Sequence, residues 1–202
     1  MNDVNKLILP TGVSHLIASR QTILPKRLVA PGPAEQELEQ LFRAAACAPD
    51  HDLINPWRFL VIPAQKRADL GELFALALRE RDPSATTEQL EQAREKAMRA
   101  PLLMLLIVDE TKGDTQIDLN ERVLSAGCSV QNILLLAHTM GYGTGLTSGK
   151  ALKSESFRSG LGLHAGEHAI CFLSMGTVSE RKPFKTRPDI DSFVNIWGAE
   201  HG

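Results

Sequence analysis

Two short polar segments contain most of the side chains that could bind a ligand. The first, Ser19-Arg20-Gln21-Thr22, is followed by Lys26-Arg27. Arginine can bind a phosphate with two parallel hydrogen bonds, while glutamine and threonine add further donors. The same residues suit a solvated turn, which their types alone favour. The second segment, Asp50-His51-Asp52, resembles an acid–base or metal cluster in composition. Neighbouring side chains on an extended loop point in different directions, so this is a weak indication.

A third segment, Gly141–Lys150, is rich in glycine and suggests a phosphate-binding loop. The spacing fails, because Thr144 stands where that motif needs its first glycine and Ala151 replaces its serine or threonine. The segment instead predicts a turn and a short strand, whose glycines would let backbone approach a flat ligand. No HExxH, GxSxG or GxGxxG motif and no paired metal-ligand spacing occurs, so difficult chemistry would have to come from a bound cofactor.

The overall composition is typical of one globular domain. Of the 202 residues, 43% are hydrophobic and 23% charged, which allows a sizeable core. The net charge of −2 and the pI near 6.3 argue against nucleic acid and anionic membranes as partners. The apolar stretch Pro101–Val108 is too short to span a membrane. Cys47, Cys128 and Cys171 form no CxxC pair, which indicates buried free thiols in a reducing cytoplasm.

The apolar periodicity predicts the elements that must position these segments. We expect strands over Arg58–Ile62, Pro101–Asp109 and His168–Met175, the second of them central because it is apolar on both faces. We expect helices over Pro33–Cys47, Gln65–Arg81, Ser84–Arg99, Leu119–Met140 and Leu152–Leu161. Ser84–Arg99 is the most polar of these and is predicted to be a solvent-facing flap. Pro33 is predicted to lie in the first turn of its helix.

Prolines and small residues add local expectations. Thr11 is predicted to cap a short first helix with Val13, Leu16 and Ile17 on its apolar side. Pro56 should hold Asn55 in an extended conformation. In the long helix, the small residues Ala126, Gly127 and Ser129 would let another helix approach, either within the chain or across a dimer seam. The apolar tail residues indicate an extended arm that lies on another surface; they are Phe193, Val194, Ile196 and Trp197.

Six segments carry a family resemblance, in the same order and over nearly the whole chain from about Val13. They are Ser19-Arg20-Gln21-Thr22, Ala48-Pro49-Asp50-His51, Asn55-Pro56-Trp57-Arg58-Phe59, Ala100-Pro101-Leu102, Ser125-Ala126-Gly127-Cys128 and Gly141-Tyr142-Gly143. Together they resemble the FMN-dependent nitroreductase family, and in particular its compact YdjA-like branch.

The resemblance implies an α+β fold, a three-layer sandwich in which helices flank a central, mostly antiparallel sheet. It implies an intertwined homodimer with two FMN molecules at the interface, each contacted by both subunits, and with the long helix as the dimer seam. Residues 13–202 would form a single FMN-binding domain after an extension over residues 1–12. A C-terminal arm over about 188–202 would be exchanged with the partner subunit.

The resemblance also implies a phosphate site. Arg20, Gln21 and Thr22 occupy the family's Arg-x-Ser position at the ribityl phosphate of FMN, with Gln21 in place of a common basic residue and Thr22 in place of serine. Arg27, or Lys26 beside it, would supply a nearby cation. Arg187, with Lys185, matches a C-terminal basic pair at the phosphate in several members.

The remaining implied FMN-binding positions lie near the flavin ring. His51 matches a position that reaches the flavin of the partner subunit, and Asn55 stands where a glutamine commonly precedes Pro-Trp. Leu146, Thr147 and Ser148 would pass the ring. Cys47 departs from relatives of this branch, which often carry an arginine there that contacts FMN. Because a thiol cannot form that charge-assisted hydrogen bond, worth about 1.5–3 kcal/mol, we expect weaker cofactor retention unless Arg27 or Arg187 compensates.

The implied activity is that of a cytoplasmic NAD(P)H-dependent flavin oxidoreductase. Hydride would pass from NAD(P)H through FMN to an electron-poor acceptor, such as a nitroaromatic or a quinone, in a ping-pong cycle. No side chain need act as an acid or base, so no catalytic residue and no metal ligand is predicted. Two alternatives stay open. One is a flavin-binding carrier or regulatory dimer without turnover, which Cys47 favours; the other is a flavin enzyme of the same fold with a different kind of substrate.

Overall fold

The structure is a computed structural model that describes residues 12–181, 183–184 and 186–198. Its helices are α1 Val13–Ser19, α2 Glu35–Ala45, α3 Arg67–Arg81, α4 Thr87–Glu95, α5 Leu119–Thr139 and α6 Glu155–Gly160. Its strands are β1 Leu28–Val29, β2 Trp57–Val61, β3 Leu102–Asp109, β4 Gly143–Thr147 and β5 Glu167–Val178. Short 3₁₀ turns lie at Pro25–Arg27, His51–Leu53, Ala64–Lys66, Lys96–Met98, Lys150–Lys153 and Ile190–Ser192.

The five described strands form one sheet in which all strand pairs are antiparallel. Strand β3 lies between β2 and β5, as its apolar sequence predicts. The other edge of β5 pairs with β4, and the short β1 pairs with the end of β5 at Thr177 and Val178. An isolated parallel bridge joins Thr22 to Thr144, so the chain that follows α1 lies beside β4. The predicted mostly antiparallel sheet is therefore confirmed.

The side chains of β3 alternate between two helical layers. Met104, Leu106 and Val108 pack into a core with α2 and α5, whereas Leu103, Leu105 and Ile107 pack with α3 and α6. All six are at most 4% exposed, and burying a side chain of this size contributes about 1.5–3 kcal/mol. Helices thus cover both faces of the sheet, and the predicted α+β three-layer sandwich is confirmed.

The long helix α5 buries only part of its small-residue stripe within this chain. Ala126 and Ser129 are fully buried in the core beneath α2 and the sheet. Gly127 faces open space, and Leu124 on the same helix is 69% exposed. Packing within the chain therefore explains why small residues stand at Ala126 and Ser129. It does not explain the small residue at Gly127 or the exposed apolar side chain of Leu124. The dimer seam stays a prediction.

Two local predictions about proline are wrong. Asn55 is not extended but has a φ of 45°, in the left-handed region that asparagine tolerates better than most residues. Its N–H donates to the Asp50 carboxylate, and its carbonyl accepts from Lys112 Nζ at 2.7 Å, so local hydrogen bonds override the preference before Pro56. Pro33 lies outside α2, because Ala34 is the N-cap.

The first helix does not bury its apolar side within the described chain. Val13 is 68% exposed and Ile17 51% exposed, because nothing in the described chain covers them. Thr11, predicted to cap this helix, lies outside the described residues, as do residues 1–11 of the predicted extension. No helix in the described ranges combines the length and apolarity needed to cross a membrane.

Candidate functional site

The segment that follows α1 is held against strand β4 by its backbone. The Ile23 N–H donates to the Thr144 carbonyl at 2.8 Å, next to the bridge between Thr22 and Thr144. Gly145 makes this approach possible, because a Cβ at that position would lie 2.3 Å from the Ile23 carbonyl oxygen. The glycines of β4 were expected to let backbone approach a flat ligand. At Gly145 the approaching group is the chain's own backbone, and this fixes the residues on either side of Ile23.

A cavity of about 350 Å³, which we call the arginine cavity, opens beside this segment. It is lined by Gln21, Thr22, Ile23, Leu24, Arg27, Pro183, Phe184 and Arg187. Four of the residues predicted at the phosphate are thus brought together here, although Arg187 is far from the others in sequence. Lys26 does not line the cavity, and Lys185 lies outside the described residues.

Arg187 and Arg27 are held in place by contacts around the cavity. Arg187 Nη2 donates to the backbone carbonyls of Ala18 at 3.4 Å and Arg20 at 3.0 Å, which ties the C-terminal segment to the end of α1. Arg27 Nε lies 3.2 Å from a carboxylate oxygen of Glu180, and the Arg27 side chain is 17% exposed. Both cations are therefore preorganised by the chain, and the charge of Arg27 is partly balanced.

Arg20 lies next to Arg187 and has an unsatisfied donor. Its Nε atom is buried and has no hydrogen-bond partner among the described residues. Burial, followed by the positive charge of Arg187, lowers the pKa of Arg20. Burial and the cations Arg181 and Arg20 likewise lower the pKa of His138, whose ring nitrogen lies 2.9 Å from Ser19 Oγ. This corner of the molecule has an excess of positive charge that a bound anion would neutralise.

The donor set of the arginine cavity fits a phosphate monoester. Guanidinium groups bind phosphate oxygens with forked, charge-assisted hydrogen bonds, and the Thr22 hydroxyl and Gln21 amide are further polar groups at the same wall. A buried donor without a partner is costly, and a ligand oxygen at Arg20 would remove that cost. Among the described residues there is no group of three or more His, Cys, Asp or Glu side chains that could hold a metal ion.

The residues predicted at the flavin ring form the exposed end of β4 and the turn after it. Leu146 is 42% exposed, and Thr147 and Ser148 are also exposed. Thr147 and Ser148 line a second cavity, of about 320 Å³, together with Pro25 from the segment that borders the arginine cavity. The two cavities are thus neighbours along residues 21–27.

The second cavity includes residues that the sequence did not single out. Its apolar wall includes Phe74, Leu78, Leu103, Leu152 and Phe172, and its cations are Arg81, Lys96, Arg99 and Lys150. Lys96 and Arg99 belong to the segment predicted as a solvent-facing flap. That interpretation is incomplete, because Leu90, Ala93 and Ala97 are buried and the segment packs against α3. The spacing of these three buried residues was the signal that could have indicated it.

The loop between α2 and β2 lies apart from both cavities in the described chain. Neither cavity is lined by Cys47, His51 or Asn55. His51 Nδ1 lies 2.6 Å from Glu121 Oε1 on α5, and this hydrogen bond raises the pKa of His51. Cys47 is exposed, so the prediction of a buried thiol is wrong at this position, because Cys47 lies in the turn after α2. Its Sγ contacts the Arg43 carbonyl at 3.4 Å. Their predicted role toward a partner's flavin stays a prediction.

A buried arginine fixes the segment that supports this loop. Arg122 on α5 is 1% exposed and donates to the backbone carbonyls of Ile117, Asp109, Lys112 and Asp114. These bonds hold the connection between β3 and α5 in place. Because Lys112 in turn donates to the Asn55 carbonyl, Arg122 indirectly positions the end of the loop next to β2.

Comparison with known proteins identifies the family. The model of the Nitroreductase family matches residues 17–177, and the chain belongs to this family. A candidate NAD(P)H nitroreductase of Haemophilus influenzae is 30% identical over 170 residues, which cover 84% of this chain and 91% of that protein. The candidate NAD(P)H nitroreductase YdjA of Escherichia coli K12 is 30% identical over 153 residues, which cover 75% of this chain and 81% of YdjA. The predicted YdjA-like branch is therefore confirmed.

Solved structures show the same fold. A nitroreductase-like family protein from Bacillus cereus superimposes with a TM-score of 0.79 at 20% identity and covers 95% of this chain and 98% of its own. A candidate nitroreductase from Desulfovibrio desulfuricans, solved in complex with FMN, has a TM-score of 0.68 at 20% identity. That match covers 93% of this chain and 98% of the other.

Proposed function

We propose that this protein is an FMN-dependent oxidoreductase that transfers hydride from NAD(P)H to an electron-poor acceptor, such as a nitroaromatic or a quinone. The arginine cavity beside the exposed end of β4 is the observation that carries the proposal. Membership of the nitroreductase family and the NAD(P)H named for the curated relatives support it. The FMN complex of a structural neighbour supports the choice of flavin.

In this proposal Arg20, Arg27 and Arg187 hold the FMN phosphate, with Gln21 and Thr22 as additional hydrogen-bonding groups. FMN supplies the redox chemistry, because it accepts a hydride and passes two electrons on. For a nitro group, two electrons and two protons give a nitroso group and water, with the hydride of NAD(P)H and one proton from solvent as the source. The protein binds and orients the reactants, and no side chain needs to exchange a proton.

The residues Leu146, Thr147 and Ser148 border the ring in this proposal, and the second cavity next to them admits the reactants. A ping-pong order follows if NAD(P)H leaves before the acceptor enters the same space. Initial rates at several fixed acceptor concentrations would then give parallel double-reciprocal lines. Intersecting lines would mean that both reactants are bound at once.

We further propose an FMN site completed by a second subunit. His51, Asn55 and Cys47 would contact the flavin of the partner, which accounts for their distance from the arginine cavity. A homodimer would also cover apolar side chains that are exposed in the single chain, among them Leu124 on α5 and Trp197, which is fully exposed. The C-terminal segment 188–202 would be the exchanged arm of a domain over residues 13–202.

The proposal is tested by purifying the protein and recording its flavin absorbance with and without added FMN. Anaerobic NADH or NADPH should then bleach the flavin bands, and a nitroaromatic or a quinone should restore them. Failure to bind FMN at all would refute the proposal. Size-exclusion chromatography with light scattering of the same sample tests the dimer.

A flavin carrier or regulatory dimer is the second candidate, and the exposed thiol of Cys47 favours it. Because Cys47 offers no charge where related proteins of this branch often carry an arginine, the flavin could be held without being tuned for turnover. Bound flavin that NADH and NADPH leave unbleached would support the carrier over the enzyme.

A further inference from the structure

The second cavity is lined by positively charged side chains, which a neutral electron acceptor would not need. Four cationic side chains line it, namely Arg81, Lys96, Arg99 and Lys150, and no carboxylate is among its lining residues. None of the four side chains forms an ion pair or a hydrogen bond with another described residue. Arg94 on α4, by contrast, is paired with Glu72 at 2.7 Å and with Glu91 at 2.8 Å.

The wall between these cations is apolar and partly aromatic. Phe74 and Phe172 pack against each other with ring centroids 5.6 Å apart, and both line the cavity next to Leu78 and Leu103. A volume of about 320 Å³ lies within the range of roughly 300–1,000 Å³ that is usual for small-molecule sites. The cavity therefore suits a ligand with a compact apolar body and a negative group at its edge.

The negative group of this ligand is not the phosphate of FMN, because the arginine cavity already accounts for that phosphate. That cavity is lined by the guanidinium groups of Arg27 and Arg187, and Arg20, whose Nε atom is unsatisfied, lies next to Arg187. The second cavity begins at Pro25 and at Thr147 and Ser148, beside the proposed ring position, and its cations lie on α3, the turn after α4, and the turn after β4. A separate anionic ligand accounts for this second set of charges.

We propose that the second cavity binds an aromatic acceptor that carries a carboxylate in addition to its reducible nitro group or quinone ring. Lys96 and Arg99 are the specificity-determining residues, and Arg81 and Lys150 add to the positive potential. This inference rests on the proposed function, because the acceptor receives its electrons from FMN. The apolar wall packs against the aromatic body and keeps it beside Thr147 and Ser148. The carboxylate stays at the cavity edge, where Lys96 and Arg99 are exposed and retain much of their hydration.

The test uses two acceptors that differ only in charge, 4-nitrobenzoate and its methyl ester. The FMN-loaded wild-type protein should have a lower KM for the carboxylate than the Lys96→Gln/Arg99→Gln variant, by about tenfold for two exposed charge pairs. The KM for the methyl ester should be unchanged. The matched control Arg79→Gln/Lys153→Gln removes two charges from α3 and the turn after β4 that do not line the cavity, and it should leave both KM values unchanged.

Calorimetric titration of 4-nitrobenzoate into the FMN-loaded protein separates this inference from the proposed function. If NADH and NADPH fail to reduce the flavin, the proposed function fails, whereas carboxylate binding that depends on Lys96 and Arg99 would still support the cavity assignment. An equal rise of the KM for 4-nitrobenzoate and for its methyl ester in the Lys96→Gln/Arg99→Gln variant would overturn the assignment. It would also be overturned if the variant lost affinity for FMN, or if only its KM for NADPH rose, since the cations would then serve the cofactor or the dinucleotide phosphate.

Discussion

The Arg187→Gln variant should weaken the binding of FMN while sparing riboflavin, which lacks the phosphate. Arg187 lines the arginine cavity, and Arg20 and Ala18 accept its two hydrogen bonds. A hydrogen bond to a charged group contributes about 1.5–3 kcal/mol, and because Arg187 is exposed we take the lower end of that range. The dissociation constant of FMN should therefore rise about tenfold.

The assay is a fluorescence titration of the apoprotein with each flavin, at low and high salt. The ratio of riboflavin to FMN dissociation constants should fall about tenfold in the variant, and the difference should shrink as salt screens the charges. Arg79→Gln, which removes an exposed charge of α3 outside both cavities, serves as the control. If Arg187→Gln weakens FMN and riboflavin equally, Arg187 anchors the C-terminal segment without holding a phosphate, and the reasoning fails.

Three further predictions concern other parts of the molecule. Arg122→Met should lower the free energy of unfolding by about 3–5 kcal/mol in urea denaturation, because buried carbonyls lose a charged donor, whereas Arg43→Met on the surface should have little effect. Glu121→Gln should lower the His51 pKa measured by NMR. Because the folded pKa of His51 is raised, its pair with Glu121 stabilises the fold below pH 6.5, and this stabilisation is lost as the pH rises through the folded pKa. A variant whose stability has the same pH dependence as the wild type would contradict the assignment. Cys47→Arg should tighten FMN binding about tenfold, and no tightening would count against a flavin contact at that position.

The fold could be predicted from sequence where burial is strong and regular. Strand β3 is apolar on both faces and so had to be central, and the long apolar periodicity of α5 fixed its bounds to within one residue. Strand β1 could not be predicted, because its two residues are ordered only by pairing with Val178 and Thr177 at the far end of the chain. The conformation of Asn55 was predicted wrongly, because its hydrogen bond to Asp50 outweighs the preference of a residue before proline for an extended backbone.

The site could be predicted only where a resemblance supplied long-range information. Nothing in the spacing of Arg20 and Arg187 indicates that they lie together, and their types alone favoured a solvated turn at Arg20. The cations of the second cavity come from three separate elements, so no local pattern could gather them. The buried spacing of Leu90, Ala93 and Ala97 shows which side of one of these elements faces inward, but only the packed structure shows that Lys96 and Arg99 border a cavity.

One backbone segment connects the two cavities, and its position depends on strand β4. Thr22 and Leu24 face the arginine cavity, Pro25 faces the second cavity, and the Ile23 N–H between them is bound to β4. Because the Ile23 carbonyl lies so close to Gly145, any side chain there would displace the segment and disturb both cavities at once. Changes at Arg187 or at Lys96 and Arg99 leave this backbone contact intact. The effects of the two sets of charges can therefore be measured separately, one through the flavin phosphate and the other through the acceptor.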